Sequence, residues 1–355
     1  MSANDPKRTS ALFLGKRKGC YDPVSLGAAM RRRKFITLMG GIAVWPIVAR
    51  AQPTMPVIGY LGSETPDRYA TRLTAFRQGL GAMGFDEGRN VAIEFVWADG
   101  QPDRLPALAA DLVRRQVAVI AAPGSAAAGL AAKAATTTIP VVFETGLDPV
   151  QAGLVKSLNQ PEGNVTGVTS LNSAVTPKGL ELLHELLPQA KSFSVLFSPA
   201  NAVITDIVMR GVEASSRTLG LELQILNADT GDDFEAVFAK LVQPRTAGLL
   251  ITANPVLNSR AHELAALTLK HAVPAVHAVR EFAMAGGLMS YGGNIRESHR
   301  QAGIYTGRIL KGEKPVNLPV QLATKVELYI NLKAAKALGI NIPNTLIGRA
   351  DEVIE

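Results

Sequence analysis

The chain has 355 residues, of which 37 are Lys or Arg and 30 are Asp or Glu, so its formal charge at pH 7 is +7. Ten of the basic residues but only two of the acidic ones lie in residues 1–51, which leaves 27 basic and 28 acidic residues, a net charge of −1, in the rest of the chain. A nucleic-acid partner, which would need a basic stripe on the folded domain, is therefore not expected. The single cysteine, Cys20, lies in the same segment, so no disulfide, cysteine nucleophile or cysteine metal ligand is expected after it.

Residues 30–51 have the composition of an export signal. Four basic residues at 31–34 precede the apolar run Phe35–Ala49, and Ala49-Arg50-Ala51 is a small-x-small site for a signal peptidase. The run contains two glycines and one proline and falls short of the roughly 20 apolar residues of a spanning helix, so an uncleaved anchor or a buried helix is the weaker interpretation. We therefore expect a soluble periplasmic protein, cleaved near Ala51 and exported by either the general or the twin-arginine route.

Apolar runs alternate with amphipathic stretches through the remaining roughly 300 residues. The strand candidates are rich in Val, Ile and Phe and fall into two series. The first series is Val57–Leu61, Val91–Trp97, Val117–Ala121, Pro140–Phe143 and Val165–Thr169, and the second is Phe193–Phe197, Leu221–Leu226, Gly248–Thr252, Ala275–Ala278 and Leu288–Tyr291. The helix candidates are Arg72–Met83, Arg104–Arg115, Gly179–Leu187, Asp206–Leu219, Phe234–Leu241, Arg260–His271 and Glu297–Lys311. Strand and helix alternation of this length predicts two parallel sheets, each covered by helices on both faces.

The two strand series predict an α/β fold with two lobes. Because the helix candidate Glu297–Lys311 follows the second series, the chain is expected to cross between lobes near residues 167–170, near residues 291–293 and around Pro319. The predicted amino-terminal lobe is residues 52–167 plus 293–319, and the predicted carboxy-terminal lobe is residues 168–292 plus 320–355. Residues 1–29 lack periodicity and precede a natural start at Met30, so we interpret them as a non-native or disordered extension.

Motifs for catalysis and cofactors are incomplete in this sequence. Gly124–Gly129 has the glycine spacing of a phosphate loop, but Leu130-Ala131 stands where Lys and Ser or Thr would be needed. Gly59–Gly62 does not extend to a dinucleotide fingerprint, and Ser125 lacks the Gly-x-Ser-x-Gly spacing of a hydrolase. The five histidines show no paired ligand spacing. We therefore predict no catalytic residues, no metal site and no cofactor.

Polar loops of small residues follow the first, third and fourth strand candidates, at the strand ends where ligands bind in open α/β sheets. They contain Ser63, the turn Gly124-Ser125-Ala126, and Asp148. Serine and glycine at a helix start present backbone N–H groups that suit a carboxylate, whereas Asp148 supplies the opposite charge. Structural alternatives stay open, because Asp148-Pro149 is also an ordinary helix start, Ser63 and Ser125 are common capping residues, and Ala126 would also allow tight packing.

The second series offers equivalent positions. Asn201 follows one strand candidate, Asn254 follows another, and Tyr291 ends the strand at the second predicted crossing. Each has two interpretations, because turn chemistry alone explains an asparagine at a strand end, and an aromatic side chain can line a cleft or fill it. Trp97 is interpreted as a packing residue rather than a binding one.

Several blocks of the sequence together resemble one family. They are RRRKFITLMGG with WPIVARAQ, DRLPALAADLVRRQVAVIAA, VFETGLDPVQAGLVKSLNQPEGNVTGV, REFAMAGGLMSYG, YTGRILKGEKPVNLPVQLATKVELYINLKAAKALG and RADEVIE. The chain resembles the ABC transporter substrate-binding proteins of the type I periplasmic-binding fold, in the branch whose better-known members take up tryptophan and other aromatic amino acids. The resemblance covers essentially all of residues 30–355.

The resemblance implies two Rossmann-like lobes, joined by a three-segment hinge, that close on a small molecule without transforming it. Ser63 and the Gly124-Ser125-Ala126 turn match positions that hold the ligand's carboxylate in the amino-acid binders. Asp148 matches the acid expected near the ammonium group. Contacts from the second lobe or the hinge are implied for Thr169, Ser170, Asn201, Asn254 and Tyr291.

The function implied is that of a monomeric solute-binding component of an ABC importer. It would capture an amino acid or a related carboxylate and deliver it to the permease and ATPase subunits at the inner membrane. Two alternatives stay open. One is a sensor subunit that reports ligand occupancy to a membrane receptor, and the other is a two-lobed α/β enzyme such as a sugar epimerase or glycosyl transferase. The enzyme would need a base or a nucleotide-phosphate motif at the cleft, and the sequence shows neither.

Overall fold

The computed structural model describes residues 55–199, 202–228, 234–242, 246–322 and 325–355, which all belong to one unit, Thr54–Glu355. The predicted export signal and the predicted extension at residues 1–29 lie outside the described residues. Within the described ranges, no helix combines the length and the apolar content that crossing a membrane would require.

Thirteen strands and twelve α-helices form within the described part of the chain. The strands are β1 (Val57–Gly62), β2 (Ala92–Trp97), β3 (Val119–Pro123), β4 (Val141–Thr145), β5 (Val165–Thr169), β6 (Ser192–Phe197), β7 (Glu222–Asn227), β8 (Leu249–Ile251), β9 (Ala275–His277), β10 (Met289–Gly293), β11 (Gln321–Leu322), β12 (Val326–Asn331) and β13 (Glu352–Ile354). The helices are α1 (Pro66–Ala82), α2 (Leu105–Arg114), α3 (Ala126–Ala135), α4 (Asn172–Leu186), α5 (Ala202–Leu219), α6 (Phe234–Val242), α7 (Pro255–Ser259), α8 (Ala261–Lys270), α9 (Arg280–Met284), α10 (Ile295–Leu310), α11 (Leu332–Ala337) and α12 (Asn344–Ile347). All ten predicted strands are present, which confirms the α/β class.

The first sheet is parallel throughout, with the strand order β11-β5-β4-β3-β1-β2. Helices cover both of its faces. Leu61, Leu112 and Phe143 are buried on one face, and Tyr60 and Phe76 are buried on the other. Because both faces of a central strand are buried, the sequence of such a strand is a continuous apolar run rather than an alternating one.

The second sheet has the order β13-β12-β10-β9-β8-β6-β7, and one of its strands corrects the sequence analysis. All strands were expected to be parallel, but β12 pairs antiparallel with β10, with Val326 opposite Gly293. The reason lies in the connection. The chain leaves the first sheet at the carboxyl end of β11 and enters the second sheet beside the carboxyl end of β10 only a few residues later, so it must run in the opposite direction to β10.

The chain passes between the two sheets three times, as the predicted three-segment hinge requires. It crosses between β5 and α4, between β10 and α10, and between β11 and β12. The first two crossings are bonded together, because the Oδ1 atom of Asn172 accepts a hydrogen bond of 2.5 Å from the backbone N–H of Gly293. Leu171, just before Asn172, has a left-handed backbone with φ of +53°. The exact lobe boundaries given by the sequence stay a prediction.

Helices α1 and α10 pack against each other so closely that their backbones touch at glycines. A Cβ atom on Gly79 of α1 would overlap the carbonyl oxygen of Arg300 and lie 2.9 Å from the backbone nitrogen of Ile304. A Cβ atom on Gly303 of α10 would overlap the carbonyl oxygen of Phe76. This contact fixes α10 on the first sheet, although the strand that leads into it belongs to the second.

Candidate functional site

A cavity with about 660 Å³ of empty space, including its mouth open to solvent, lies between the two sheets. We call it the cleft cavity. Loops at the carboxyl ends of the strands of both sheets form its wall, which is the usual position of a binding site in parallel α/β sheets. Most polar side chains on this wall come from the loops after β1, β3, β6 and β8, and Thr205 comes from α5. Those from the loops are Ser63, Glu64, Ser125, Ser198, Thr252 and Asn254.

Ser63 is tied to the loop after β3 through a tyrosine of α1. The hydroxyl oxygens of Ser63 and Tyr69 are 3.0 Å apart, and the Tyr69 hydroxyl donates a hydrogen bond of 3.5 Å to the carbonyl oxygen of Gly124. Gly124 has φ of +95°, and a Cβ atom there would overlap the Tyr69 hydroxyl. Gly124 is therefore required by the conformation of the turn and by the tyrosine packed against it.

Ser125 and Ala126 begin helix α3. The Ser125 side chain is the N-cap, because its Oγ atom accepts hydrogen bonds from the backbone N–H groups of Ala127 at 3.2 Å and Ala128 at 3.5 Å. Ser125 and Ala127 line the cleft cavity, whereas Ala126 is buried in the first lobe, which is the first sheet with its helices. Ser125 therefore both caps α3 and lines the cavity.

Asp148, Thr169 and Ser170 hold loops of the first lobe and do not line the cleft cavity. The Oδ1 atom of Asp148 accepts hydrogen bonds from the backbone N–H groups of Val150 at 2.8 Å and Gln151 at 3.2 Å, which is the capping geometry left open by the sequence. The Thr169 hydroxyl donates to the Leu147 carbonyl oxygen at 2.8 Å. The Ser170 hydroxyl donates to the Thr145 carbonyl oxygen at 3.4 Å.

Of the predicted second-lobe residues Asn254 and Tyr291, which the structure describes, Asn254 belongs to the wall. Asn254 lines the cleft cavity and also caps α7, because its Oδ1 atom accepts a hydrogen bond of 2.8 Å from the Leu257 N–H. Tyr291 lies in β10 opposite Leu328 of β12, is half-buried, and does not line the cavity. Asn201 lies outside the described residues.

The wall of the cleft cavity also carries large apolar side chains, which the sequence did not reveal. These side chains come from α2 of the first lobe and from β6, α5 and α7 of the second. They include Leu105, Phe197, Val208, Met209 and Val256. These residues have the same helical or strand spacing as core residues, so their sequence pattern alone predicts burial and not a binding surface.

Glu64 is the only acidic side chain on the described wall of the cleft cavity. Only 3% of its surface is exposed, and its Oε2 atom accepts a long hydrogen bond of 3.5 Å from the Ser259 hydroxyl of the second lobe. Burial raises the pKa of Glu64, and the positive charges of Arg68, Arg260 and Arg72 oppose that rise. Gly100 lies against this carboxylate, since a Cβ atom there would be 3.7 Å from Oε2.

A cluster of polar side chains, separate from Glu64, is buried in the first lobe around Tyr69. The guanidinium carbon of Arg72 lies 4.7 Å from the centre of the Tyr69 ring, and the His299 ring centre lies 6.1 Å from it. Burial raises the pKa of Glu144 to about 7, against the opposing charge of Arg72. Burial and the charge of Arg72 lower the pKa of His299 to about 3, so its Nδ1 atom, 3.7 Å from Glu144, belongs to a neutral imidazole at pH 7.

Among the described residues, no group of three or more His, Cys, Asp or Glu side chains is arranged to hold a metal ion.

The His299 Nδ1 atom lies 2.9 Å from the Ile295 carbonyl oxygen of its own helix, and a carbonyl only accepts hydrogen bonds. The proton of the neutral ring is therefore on Nδ1. This assignment makes the buried imidazole a structural donor within α10.

Comparisons with known proteins agree on the family and the fold. The model of the family "ABC transporter substrate binding protein" matches residues 64–354. A tyrosine-binding protein of Clostridioides difficile (strain R20291) is 26% identical over 269 residues, which are 74% of this chain and 75% of that protein. The crystal structure of a conserved domain protein from Vibrio cholerae is 26% identical, with a TM-score of 0.75 over 84% of this chain and 99% of that one. An ABC domain from Streptococcus pneumoniae in complex with L-Trp is 22% identical, with a TM-score of 0.73 over the same shares, and has the same fold.

Proposed function

This chain belongs to the ABC transporter substrate-binding protein family, and on that premise we propose that it captures an amino acid with an aromatic or other large apolar side chain for uptake. The observation that carries the proposal is the mixed lining of the cleft cavity. Serine, threonine and asparagine side chains at the strand ends line it together with the apolar side chains of Leu105, Phe197, Val208 and Met209. A ligand with a zwitterionic end and an apolar end complements both.

A related protein supports this choice of ligand. The relative from Clostridioides difficile, which matches 74% of this chain, is named a tyrosine-binding protein. Sugar ligands fit the wall less well, because a sugar presents hydroxyl groups in every direction and would leave those that meet apolar side chains unpaired.

Capture would be coupled to closure of the lobes. The cleft cavity takes its wall from both lobes, so a bound ligand makes contacts in the closed form that are absent from the open form, and only such differential contacts shift the equilibrium. We propose that the closed form is what the permease, together with its ATPase, recognises at the inner membrane. We also propose that the protein acts as a monomer in the periplasm after cleavage of the predicted signal near Ala51.

The proposal is tested with residues 52–355 in a thermal-shift screen, followed by isothermal titration calorimetry. The panel contains the L-amino acids, small carboxylates and sugars. A ligand present at 100 times its Kd stabilises the folded state by about 2.7 kcal/mol, which corresponds to a rise in Tm of roughly 5 °C. We expect tyrosine, tryptophan, phenylalanine or a branched amino acid to produce this rise. A rise with sugars alone, or with none of the panel, contradicts the proposal.

A further inference from the structure

The position of Glu64 suggests a role beyond that of a structural carboxylate. It directly follows Ser63 at the end of β1, and both residues are part of the wall of the cleft cavity. Its hydrogen bond to Ser259 reaches across to α7 of the second lobe. Glu64 is therefore in contact with both lobes at the place where a captured molecule would lie.

The carboxylate of Glu64 has acceptor capacity that the protein does not use. Two carboxylate oxygens offer about four lone-pair sites, and the described residues supply one hydrogen bond, of 3.5 Å. No cationic side chain within the described ranges approaches Glu64 closely enough to form an ion pair. A buried carboxylate with so few partners costs free energy, and a ligand that donates N–H groups would remove that cost.

Nearby positive charges favour the ionised form of this carboxylate. Burial raises the pKa of Glu64, and the charges of Arg68, Arg260 and Arg72 oppose that rise. An ammonium group carries three N–H donors and a positive charge, so it would satisfy the free acceptor sites with charge-assisted hydrogen bonds. Asp148 is placed differently, because its Oδ1 atom caps the turn at residues 149–153 and the residue is not part of the cavity wall.

We propose that Glu64, and not Asp148, receives the ammonium group of the bound amino acid and thereby selects it over the same molecule without its amino group. This inference rests on the proposed function. It adds a specificity residue and a defined orientation: the ammonium group lies toward the loop after β1 and the side chain of the ligand lies toward Phe197 and Met209.

The test compares two matched pairs of probes and two matched variants. Isothermal titration calorimetry is performed on residues 52–355 with L-tyrosine and L-tryptophan, and with their deaminated analogues 3-(4-hydroxyphenyl)propanoate and indole-3-propanoate. We expect the wild type to bind the amino acids about 10- to 100-fold more tightly than the analogues, as charge-assisted hydrogen bonds would give. Glu64→Gln should lose most of this preference by weakening amino-acid binding alone. Asp148→Asn, which removes the other candidate acid, should keep it.

The possible outcomes separate this inference from the proposed function. If the wild type binds none of the four probes, the aromatic amino-acid function is wrong. If it binds amino acids and analogues equally, or if Glu64→Gln keeps the preference, the function stands and the role of Glu64 is overturned. A loss of preference in Asp148→Asn overturns it as well. If Glu64→Gln does not fold, as judged by circular dichroism, the wild type and Asp148→Asn still test the inference. A preference for amino acids that Asp148→Asn keeps supports it, and equal binding by the wild type or a loss of preference in Asp148→Asn overturns it.

Discussion

The close backbone contact between α1 and α10 gives a sharp test of the fold, namely the substitution Gly79→Ala in α1. The new Cβ atom would overlap the carbonyl oxygen of Arg300 and lie 2.9 Å from the backbone nitrogen of Ile304, and neither atom can move without moving α10. Overpacking of this kind typically costs about 1–3 kcal/mol and sometimes more. The separation of the helices would also loosen the packing of Phe76 and Leu80, which are fully buried on this face.

Alanine has about 1 kcal/mol more helix propensity than glycine, which offsets part of the overpacking cost. We therefore expect Gly79→Ala to lower the free energy of unfolding by up to about 2 kcal/mol in net terms. Gly81→Ala is the matched control on the same helix. Its Cβ atom would meet only the Asp86 side chain, at 3.7 Å, so this variant should be stabilised by about 0.5–1 kcal/mol.

Urea unfolding of residues 52–355 measures both changes. Trp97 is the only tryptophan of this segment and packs against Tyr60 and Phe95, so its fluorescence reports on the same lobe. Circular dichroism at 222 nm follows the helices of both lobes. Equal stability of Gly79→Ala and Gly81→Ala would refute the close contact between α1 and α10.

Three further substitutions test the site and its surroundings. Gly124→Ala should lower the free energy of unfolding by at least about 2 kcal/mol and weaken ligand binding, because an alanine at φ of +95° is strained and its Cβ atom overlaps the Tyr69 hydroxyl. Adding Tyr69→Phe should recover part of that loss. If the effects of the two substitutions on urea unfolding are strictly additive, the overlap is contradicted. Ser125→Ala should lower the free energy of unfolding by about 1 kcal/mol through loss of the α3 cap, whereas Ser125→Asn should retain most of the stability. Unchanged stability in Ser125→Ala would argue against the cap. The pKa of Glu144 is raised by burial to about 7, above the ordinary value of 4.5, so ionisation between pH 4.5 and pH 7 favours the unfolded state and lowers wild-type stability by up to about 3 kcal/mol. Glu144→Gln lacks this loss, so its advantage over wild type in urea unfolding should grow from pH 5 to pH 8; parallel pH profiles would show that Glu144 is not buried as described.

The sequence predicted the strands well because most of them are buried on both faces. All ten predicted strands lie within two residues of the observed bounds, since a central strand of a parallel sheet is a continuous apolar run ended by polar loops. The short helices α7, α9, α11 and α12, of four to six residues, contain too few turns for a 3.6-residue period to be recognised. The antiparallel direction of β12 was not predicted, because it depends on where the third crossing enters the second sheet.

The candidate site was only partly predictable. Polar residues at strand ends identified Ser63, Ser125 and Asn254, because the topology brings the carboxyl ends of the strands together. Asp148 and Glu64 both follow first-lobe strands, and no local pattern tells which of the two carboxylates faces the cleft and which caps a turn. The apolar lining residues of the cavity were not identifiable, since Leu105, Val208 and Met209 have the spacing of ordinary core residues.

The three crossings also determine when each lobe can be completed during synthesis on the ribosome. Strands β1 to β5 emerge first, but α10 and β11, which belong to the same sheet layer, are translated only after β10. The face of the first sheet that α10 covers therefore stays exposed in the nascent chain until more than 300 residues have been made. Neither lobe is a continuous fragment, so no single cut of the gene yields one of them whole, and a chaperone that shields the first sheet would have to remain bound almost to the end of translation.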